Sequence, residues 1–243
     1  MGKIYVVGLG PGDENMITPQ AVQALDESDI ITGYKTYTDL IRDRYQDKEI
    51  IESGMRQECD RCQKCADLAK SGKTVALVCS GDAGVYGMAS LMLETGSREG
   101  VDDIRIVPGV TAALSGAAML GSPIGHDFCV LSLSDLLTPW ELIEKRLRSA
   151  AAGDYCIVLY NPGSSRRTDH LKRACNVLLE TLPEHTACGF VRNIGRFGST
   201  KKTCTLSQLK DEEADMFTTV FIGNSQTYIK NGLMITPRGY DIK

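Results

Sequence analysis

Cysteine spacing is the first feature of the sequence that could support chemistry. Cys59, Cys62 and Cys65 follow one another at three-residue intervals in ECDRCQKC. Thiolates at such spacing bind zinc or iron–sulfur clusters, but these sites need further ligands, and no cysteine follows until Cys79. The pattern favours small apolar side chains on a helix over residues 55–70, with Cys59 and Cys62 on its buried face and Cys65 at the edge of that face. We therefore expect no metal site.

Three glycine-rich turns each follow a predicted strand. They are residues 8–13 (GLGPGD), 80–87 (SGDAGVYG) and 108–112 (PGVTA). Glycine lets a backbone approach a ligand closely, and ligands of α/β sheets bind at the carboxyl ends of the strands. The first turn lacks the dinucleotide-binding fingerprint, because Asp13 stands where that pattern needs glycine. Each turn alone could be a plain tight turn, but together they predict one small-molecule site, in which Asp82 could face a ribose or a cation.

Alternating strand-like and helix-like segments must position these turns, which predicts an α/β fold with a parallel N-terminal sheet. In the first half we predict strands over 3–8, 29–32, 74–79 and 104–107, and helices over 18–28, 85–98 and 111–120. In the second half we predict strands over 128–133, 155–160, 186–191 and 218–222, and helices over 139–151 and 165–180. The turn GSPIGHDF suggests two domains, residues 1–121 and 122–243.

The composition of the chain limits the classes of binding partner and the compartment that we expect. The 243 residues carry a formal net charge of −4, which does not suggest a binder of nucleic acids or anionic membranes. No apolar run approaches the ~18 residues that span a bilayer, and the short N-terminal run does not resemble a signal peptide. We expect a soluble cytoplasmic protein with most of its nine cysteines as free thiols.

Several segments carry a family resemblance along essentially the whole chain. VVGLGPGDENMIT, SGDAGVYGMA, PGVTA, YNPGS and TPRGY, in this order, resemble the tetrapyrrole (uroporphyrinogen/precorrin) methyltransferase family. GYKTYTDLI, SLSDLLTPWELIEKRL and GLMITPRGY resemble its branch that methylates C17 of precorrin-3B or cobalt-factor III, with ring contraction, in cobalamin biosynthesis. The resemblance implies a two-domain α/β homodimer with a mixed C-terminal sheet. It also implies S-adenosyl-L-methionine (SAM) in the cleft between the domains, released as S-adenosyl-L-homocysteine.

The resemblance further implies which residues contact SAM, mostly through backbone atoms. These are Pro11, Ser80, Gly81, Asp82, Val85, Thr111, Ala112, Asn161, Asn193 and Ile194. Members that act earliest in the pathway carry a catalytic aspartate after the second strand. Here Tyr34 occupies that position, so the aspartate's role does not transfer unchanged.

Ring contraction moves protons, so an acid or base should lie near the macrocycle. The candidates are Tyr34, Lys35, His126, Asp127 and Ser132, with Ser134 and Asp135 beside them. His126 is equally readable as an ordinary turn residue. We expect His170 and His185 on the solvated surface.

The substrate's carboxylates call for cations, and arginine suits them. The candidates are Arg166, Arg167, Arg192, Arg196 and Arg238. For Arg166 or Arg167 taken singly, a solvated surface charge is the simpler interpretation. Arg238, within TPRGY, is a better candidate for a structural or substrate role.

Three alternatives remain open. One is a methyltransferase for another tetrapyrrole position, or a diphthine synthase-like enzyme with a protein substrate, which GYKTYT and SLSDLLTPW disfavour. Another is a non-enzymatic nucleotide- or flavin-binding α/β module, suggested by the turns alone. The third is the metal–sulfur protein that the cysteine spacing disfavours.

Overall fold

The computed structural model describes residues 2–241. The chain divides into two compact units that meet in sequence between Thr111 and Ala112. The predicted boundary after residue 121 lies later, beyond the helix that starts at Ala112. This helix belongs to the second unit because its small residues pack on that unit's sheet. A Cβ at Gly116 would lie only 2.9 Å from the Phe221 ring, so glycine is needed for the close packing.

The first unit alternates strands and helices, as predicted. Its described elements are β1 (Lys3–Gly8), a 3-10 helix (Glu14–Met16), α1 (Pro19–Glu27), β2 (Ile30–Tyr34), α2 (Lys35–Thr38), β3 (Glu49–Ser53), α3 (Glu58–Lys70), β4 (Thr74–Cys79), α4 (Ala89–Glu99) and β5 (Ile104–Val107). α1 begins where predicted, because the Ala21 N–H donates to Thr18 Oγ at 3.1 Å and Pro19 occupies the first turn.

The first sheet has the strand order β3-β2-β4-β1-β5 within the described residues, and every neighbouring pair is parallel. The predicted parallel sheet is therefore confirmed. Helices cover both faces, so its central strands are apolar on both sides. In β1, Ile4 and Val6 pack into one core cluster, whereas Tyr5 and Val7 pack into another on the opposite face.

The second unit has a looser order of elements. Those described are α5 (Ala112–Leu120), β6 (Gly121–Ser122), β7 (Phe128–Ser132), α6 (Trp140–Ala152), β8 (Cys156–Tyr160), α7 (His170–Leu178), β9 (Ala187–Arg192), β10 (Thr200–Thr205), α8 (Leu206–Leu209), β11 (Thr218–Ile222), β12 (Tyr228–Lys230) and β13 (Leu233–Ile235). Its larger sheet has the order β10-β9-β11-β8-β7, and β12, β13 and β6 form a small second sheet.

The larger sheet is mixed, as the resemblance implies. β7 and β8 are parallel, whereas β11 is antiparallel to both β8 and β9. Ile143 of α6 and Leu171 of α7 belong to the core cluster on one face. Ala113 and Ala117 of α5 belong to the cluster on the other.

Three helices begin three or more residues later than predicted, and one of them is α3, which begins at Glu58 rather than at residue 55. α4 begins at Ala89 rather than at residue 85, because Asp82 Oδ1 accepts the N–H groups of Gly84 and Val85 at 2.8 and 3.1 Å. These bonds hold the segment in a turn. α7 begins at His170 rather than at residue 165.

The late start of α7 also has a local cause. Ser164 and Arg167 exchange backbone hydrogen bonds in both directions, at 3.1 and 3.0 Å. This closed turn takes up the backbone groups that a helix beginning at residue 165 would use. Gly163 fixes the turn's entry, since a Cβ there would lie 2.1 Å from the Ala214 carbonyl oxygen.

The cysteine helix α3 begins at Glu58, after Arg56 in a left-handed conformation (φ 66°). Cys62 and Cys65 are fully buried and Cys59 is exposed. The prediction that Cys59 faces the core and Cys65 its edge is therefore wrong. The buried face instead includes Cys62, Cys65 and Arg61, which is itself buried and donates to Ser53 Oγ at 2.5 Å.

Candidate functional site

The three glycine turns all lie at the carboxyl ends of strands in the first sheet, and we call this side of the sheet its carboxyl edge. The turns follow β1, β4 and β5, and these three strands are neighbours in the order β4-β1-β5. Their carboxyl ends therefore lie side by side, which is the edge where α/β sheets bind ligands.

The turns touch through main-chain atoms. The Gly10 N–H donates to the Gly81 carbonyl at 3.0 Å, and the Gly81 N–H donates back to the Gly10 carbonyl at 2.7 Å. A Cβ at Gly109 would lie 2.2 Å from the Gly81 oxygen, and one at Gly8 would lie 2.7 Å from the Gly109 nitrogen. Only glycine fits at these positions, so backbone rather than side chains shapes this edge.

The Asp82 carboxylate joins the second turn to the third. Its Oδ1 accepts two amides of its own turn, and its Oδ2 accepts the Gly109 N–H at 2.9 Å. The sequence suggested a ribose or a cation as the partner of this residue. In the structure its two oxygens organise the backbone that a ligand would meet.

The open side of the second turn lies at Gly81. Its φ of +69° is left-handed, and a Cβ there would meet only Thr111 Cα, at 3.9 Å, within 4 Å. Ser80, Val85 and Thr111 are half-buried, and Pro11 is buried. The open space beside exposed main chain fits a ligand recognised through backbone groups, as the resemblance implies for SAM.

Tyr34 and Lys35 lie at the carboxyl end of β2, on the same side of the sheet as the three turns. Tyr34 ends the strand, and its ring packs edge-on against Tyr37 with 5.2 Å between centroids. Lys35 is exposed and its Nζ lies 3.1 Å from Asp39 Oδ1 and 3.8 Å from Glu52 Oε1. The hydrogen bond from Lys35 lowers the pKa of the Asp39 carboxyl. The ammonium is thus already paired on the surface of α2.

The second unit has a comparable edge. β7, β8 and β9 run in one direction, since β11 is antiparallel to both β8 and β9. Ser132 ends β7, Asn161 follows β8 and Asn193 follows β9. The structure thus places three of the predicted site residues on the same edge of one sheet.

Both asparagines adopt left-handed backbone conformations, with φ of 54° at Asn161 and 52° at Asn193. Asparagine tolerates this region better than most residues, so each chain can turn sharply at its strand end. The Asn161 Nδ2 donates to Ser132 Oγ at 3.0 Å, which ties two of these strand ends together. Ile194 is buried in the core, and Ala112 starts α5, where the Ala113 N–H donates to the Tyr160 hydroxyl at 2.6 Å.

His126 and Asp127 are not brought to this edge. They precede β7, at the opposite end of the strand from Ser132. A five-residue strand is about 16 Å long. Both side chains are exposed, and His126 Nδ1 accepts the Asp127 N–H at 2.8 Å.

His170 is buried, contrary to the expected surface position. Only 5% of the residue is exposed, and its ring packs edge-on against Trp140 with 5.1 Å between centroids. Nε2 lies 3.1 Å from Asp135 Oδ2, close enough for an ion pair although not aligned for a hydrogen bond, and Nδ1 lies 3.2 Å from Asp169 Oδ1. The imidazole beside it lowers the pKa of the Asp135 carboxyl. The amphipathic spacing of α7 was the available signal, since Ala174 and Leu178 follow on the same buried face.

Arg167 is also more enclosed than expected. It is half-buried, and its Nη1 donates to Ser134 Oγ at 2.5 Å. The Ser134 N–H donates in turn to Ser132 Oγ at 3.2 Å. Arg167 thus joins a polar network, Arg167–Ser134–Ser132–Asn161, that runs along the carboxyl edge of β7 and β8.

The remaining candidates lie on the surface or pair locally. Arg166 and His185 are exposed. Arg238 is exposed too, with its guanidinium 6.0 Å from the Tyr240 ring centroid. Arg192 donates to the Glu213 carbonyl, and Arg196 lies 5.2 Å from the Phe217 ring.

Cys62, Cys65 and Cys79 belong to one core cluster, and Cys175, Cys188 and Cys204 belong to another. Burial raises the pKa of the Cys62 thiol to about 11 and that of Cys79 to about 12. Within residues 2–241, no group of three or more His, Cys, Asp or Glu side chains is arranged to hold a metal ion. No helix of this part of the chain combines the length and apolar character needed to span a bilayer.

Comparison with known proteins identifies the fold and its family. Residues 3–210 match the family model described as tetrapyrrole (corrin/porphyrin) methylases. The chain belongs to this family. It is therefore a methyltransferase, and the resemblance found in the sequence is confirmed.

Individual tetrapyrrole methylases match over their whole length. A probable cobalt-factor III C(17)-methyltransferase of Salmonella typhimurium is 47% identical over 98% of this chain and 100% of that protein. A precorrin-3B C(17)-methyltransferase of Sinorhizobium sp is 39% identical over 98% of this chain and 97% of that protein. The crystal structure of the methyltransferase CobJ superimposes with a TM-score of 0.91 at 37% identity, covering 98% of this chain and 100% of that one.

Proposed function

We propose that this enzyme transfers a methyl group from SAM to C17 of cobalt-factor III or precorrin-3B, with contraction of the macrocycle, in cobalamin biosynthesis. The observation that carries the proposal is the end-to-end match to enzymes named for this reaction. Identity is higher to the cobalt-factor III enzyme, which favours the cobalt-containing substrate.

The first unit supports SAM as the methyl donor. SAM supplies a methyl group on a sulfonium, which a carbon nucleophile can displace in line. The chain's task is then to hold the donor in the reacting geometry. The interlocked turns suit this task because they present fixed backbone groups beside the open side of Gly81. We assign Pro11, Ser80, Asp82, Val85 and Thr111 to this half of the SAM site.

In the second unit we assign Ala112, Asn161, Asn193 and Ile194 to SAM contacts on the strength of the family resemblance. The two asparagines and Ser132 support the assignment by sharing one sheet edge. For proton transfer during ring contraction, the geometry supports Ser132 over His126 and Asp127, since those two lie at the other end of β7. Tyr34 and Lys35 stay candidates from the first unit.

The resemblance also leads us to propose a homodimer in the cytoplasm, with a small-molecule tetrapyrrole and neither nucleic acid nor membrane as partner. Sedimentation analysis tests the dimer directly: a single species of twice the chain mass is expected. A species of one chain mass at micromolar concentration would contradict it.

The decisive experiment is anaerobic incubation with methyl-labelled SAM and either cobalt-factor III or precorrin-3B, followed by mass and absorbance. We expect a gain of one methyl group and a shifted tetrapyrrole spectrum, faster with cobalt-factor III. SAM binding without methylation of either tetrapyrrole would move the activity to another acceptor, such as a different ring position or a diphthine-type protein. A lack of SAM binding would contradict the methyl donor itself.

A further inference from the structure

Arg167 is a partly shielded cation that forms no direct ion pair within residues 2–241, although its charge reaches Asp135 and lowers the pKa of that carboxyl. Its Nε is buried and makes no hydrogen bond to any described residue, and the guanidinium forms no ion pair within residues 2–241. Leaving a buried charged donor unpaired is costly, so such a group calls for an explanation. The comparison with Arg148 is direct, since that guanidinium pairs with Glu144 and Glu180 at 3.2 and 2.8 Å.

The position of Arg167 is fixed through its backbone. Reciprocal hydrogen bonds with Ser164 close its turn. Gly163 lies against the Ala214 backbone so closely that no side chain would fit. The backbone of Arg167 is therefore fixed, and the hydrogen bond to Ser134 holds its guanidinium, which reduces the side-chain entropy lost when it binds a ligand.

A second group of contacts fixes the partner of Arg167. Ser134 is held at its amide by Ser132 Oγ, and the next residue, Asp135, lies against the buried His170. The His170 ring is in turn packed on Trp140 at the start of α6. These contacts hold the segment after β7 in one conformation, so that Ser134 Oγ stays in reach of Arg167.

We propose that Arg167 binds a peripheral carboxylate of the tetrapyrrole substrate, and that His170 is a positioning residue that keeps Ser134 in place for it. The inference rests on the proposed function, because that function supplies a macrocycle bearing several carboxylates. A planar guanidinium binds a carboxylate through two parallel hydrogen bonds, which gives orientation as well as affinity. The location fits, since the network that contains Arg167 ends at Asn161 and Ser132 on the carboxyl edge.

The test is an equilibrium titration of the full-length enzyme with cobalt-factor III, with S-adenosyl-L-homocysteine present so that no turnover occurs. Loss of a hydrogen bond to a charged group predicts that Arg167→Gln weakens tetrapyrrole binding about ten- to hundredfold. Arg167→Lys should recover part of the loss. Arg146→Gln, at an exposed arginine of α6, is the matched control and should stay within about twofold of the wild type.

Affinity for SAM separates this role from a general loss of structure. Arg167→Gln should bind SAM as the wild type does. Unchanged tetrapyrrole affinity in Arg167→Gln, or an equal loss in Arg146→Gln, would overturn the assignment of Arg167. If the wild type methylates cobalt-factor III while Arg167→Gln binds it normally, only this inference fails. If the wild type binds no tetrapyrrole, both proposals fail.

The positioning role needs its own readout. His170→Phe keeps a ring beside Trp140 but removes the nitrogen that faces Asp135, so KM for the tetrapyrrole should rise while kcat and KM for SAM stay close to wild type. Asp135→Asn alters the same contact at its exposed carboxylate and should also raise KM for the tetrapyrrole. This second variant tests the contact if the histidine variant does not fold. Equal rises in both KM values, or no change in either variant, would overturn the positioning role.

Discussion

The Oδ2 atom of Asp82 accepts the backbone N–H of Gly109 at 2.9 Å. The bond crosses from the turn after β4 to the turn after β5, while the other oxygen organises the turn of Asp82 itself. One carboxylate therefore sets the relative position of two of the three turns at the first unit's sheet edge. The negative charge of Asp82 therefore stabilises the backbone conformation of the turns that form the candidate site.

Asp82→Asn should weaken both stability and SAM binding. The substitution keeps the shape but places an NH₂ group where two acceptors are needed, so one backbone donor loses its partner. The free energy of unfolding should fall by about 1–3 kcal/mol, measured by urea denaturation, and SAM affinity should fall with it. Asp43→Asn, at an exposed residue, should change neither. An Asp82→Asn protein as stable as wild type would show that the carboxylate charge is dispensable.

Gly109→Ala should disrupt the interlocked turns. The added Cβ would meet the Gly81 carbonyl oxygen at 2.2 Å, and both partners are backbone, so the turns must move apart. Overpacking of this kind costs about 1–3 kcal/mol, visible as a lower Tm. SAM binding, followed by calorimetry, should be lost.

The control for that experiment is Gly54→Ala. Its new Cβ would meet only the flexible end of Gln57, at 3.3 Å. It should leave the Tm and SAM binding nearly unchanged. SAM binding by Gly109→Ala at wild-type affinity would contradict the backbone site at this edge.

Cys59 should be the thiol that alkylates fastest in the native protein. Its side chain is exposed, whereas burial raises the pKa of the Cys62 thiol to about 11 and the pKa of Cys129 to about 11. A raised pKa leaves the thiol protonated and unreactive at pH 8. Brief iodoacetamide treatment at pH 8 should add one label by intact mass, and treatment in denaturant should add nine, the number of cysteines in the sequence. Cys59→Ser should remove the native label, and rapid labelling of Cys62 would contradict the structure.

The Asp135–His170 contact should be lost in acid. The pKa of Asp135 is lowered, chiefly by His170 and further by the charge of Arg167, so the ionised carboxylate is favoured in the folded state. The contribution of the ionised Asp135 side chain to the free energy of unfolding is present above the unfolded pKa of about 3.9. It disappears as the pH falls through the lower folded pKa. Asp135→Asn should therefore have a lower Tm than the wild type at pH 5, with the gap closing below about pH 4.

The pH series needs a matched carboxylate. Asp47→Asn removes an exposed charge and should leave the Tm unchanged relative to wild type at each pH. A Tm gap for Asp135→Asn that widens as the pH falls below 4 would contradict the direction of the pKa shift.

The sequence predicts the bounds of four strands. The strands Lys3–Gly8, Thr74–Cys79, Ile104–Val107 and Thr218–Ile222 begin and end at the predicted residues. Three are runs of apolar, mostly β-branched residues, and such runs identify strands buried on both faces. β3 and β10 have no predicted counterpart. Both lie at sheet edges and carry charged residues, as in Glu49–Ser53 (EIIES), so only pairing with a neighbour makes them strands.

The arrangement of the candidate site was predictable where backbone forms it. Glycine positions in the sequence identify the turns, since the space for a Cβ is missing there. Arg167 and His170 were harder to place, because their burial depends on where α7 begins. A closed turn at Ser164 delays that helix, and only then does His170 start its buried face.

The interlocked glycine turns have a consequence for how this enzyme can vary. Their contacts are made by atoms that every amino acid possesses, so most side-chain replacements around them alter nothing essential. Sensitivity to substitution is concentrated in three glycines. At Gly8 and Gly109 a Cβ would collide with backbone atoms, and at Gly81 the left-handed φ disfavours any side chain. A mutational scan should therefore show a few absolutely intolerant positions embedded in tolerant sequence. Directed evolution toward new methyl acceptors would have to leave these three untouched.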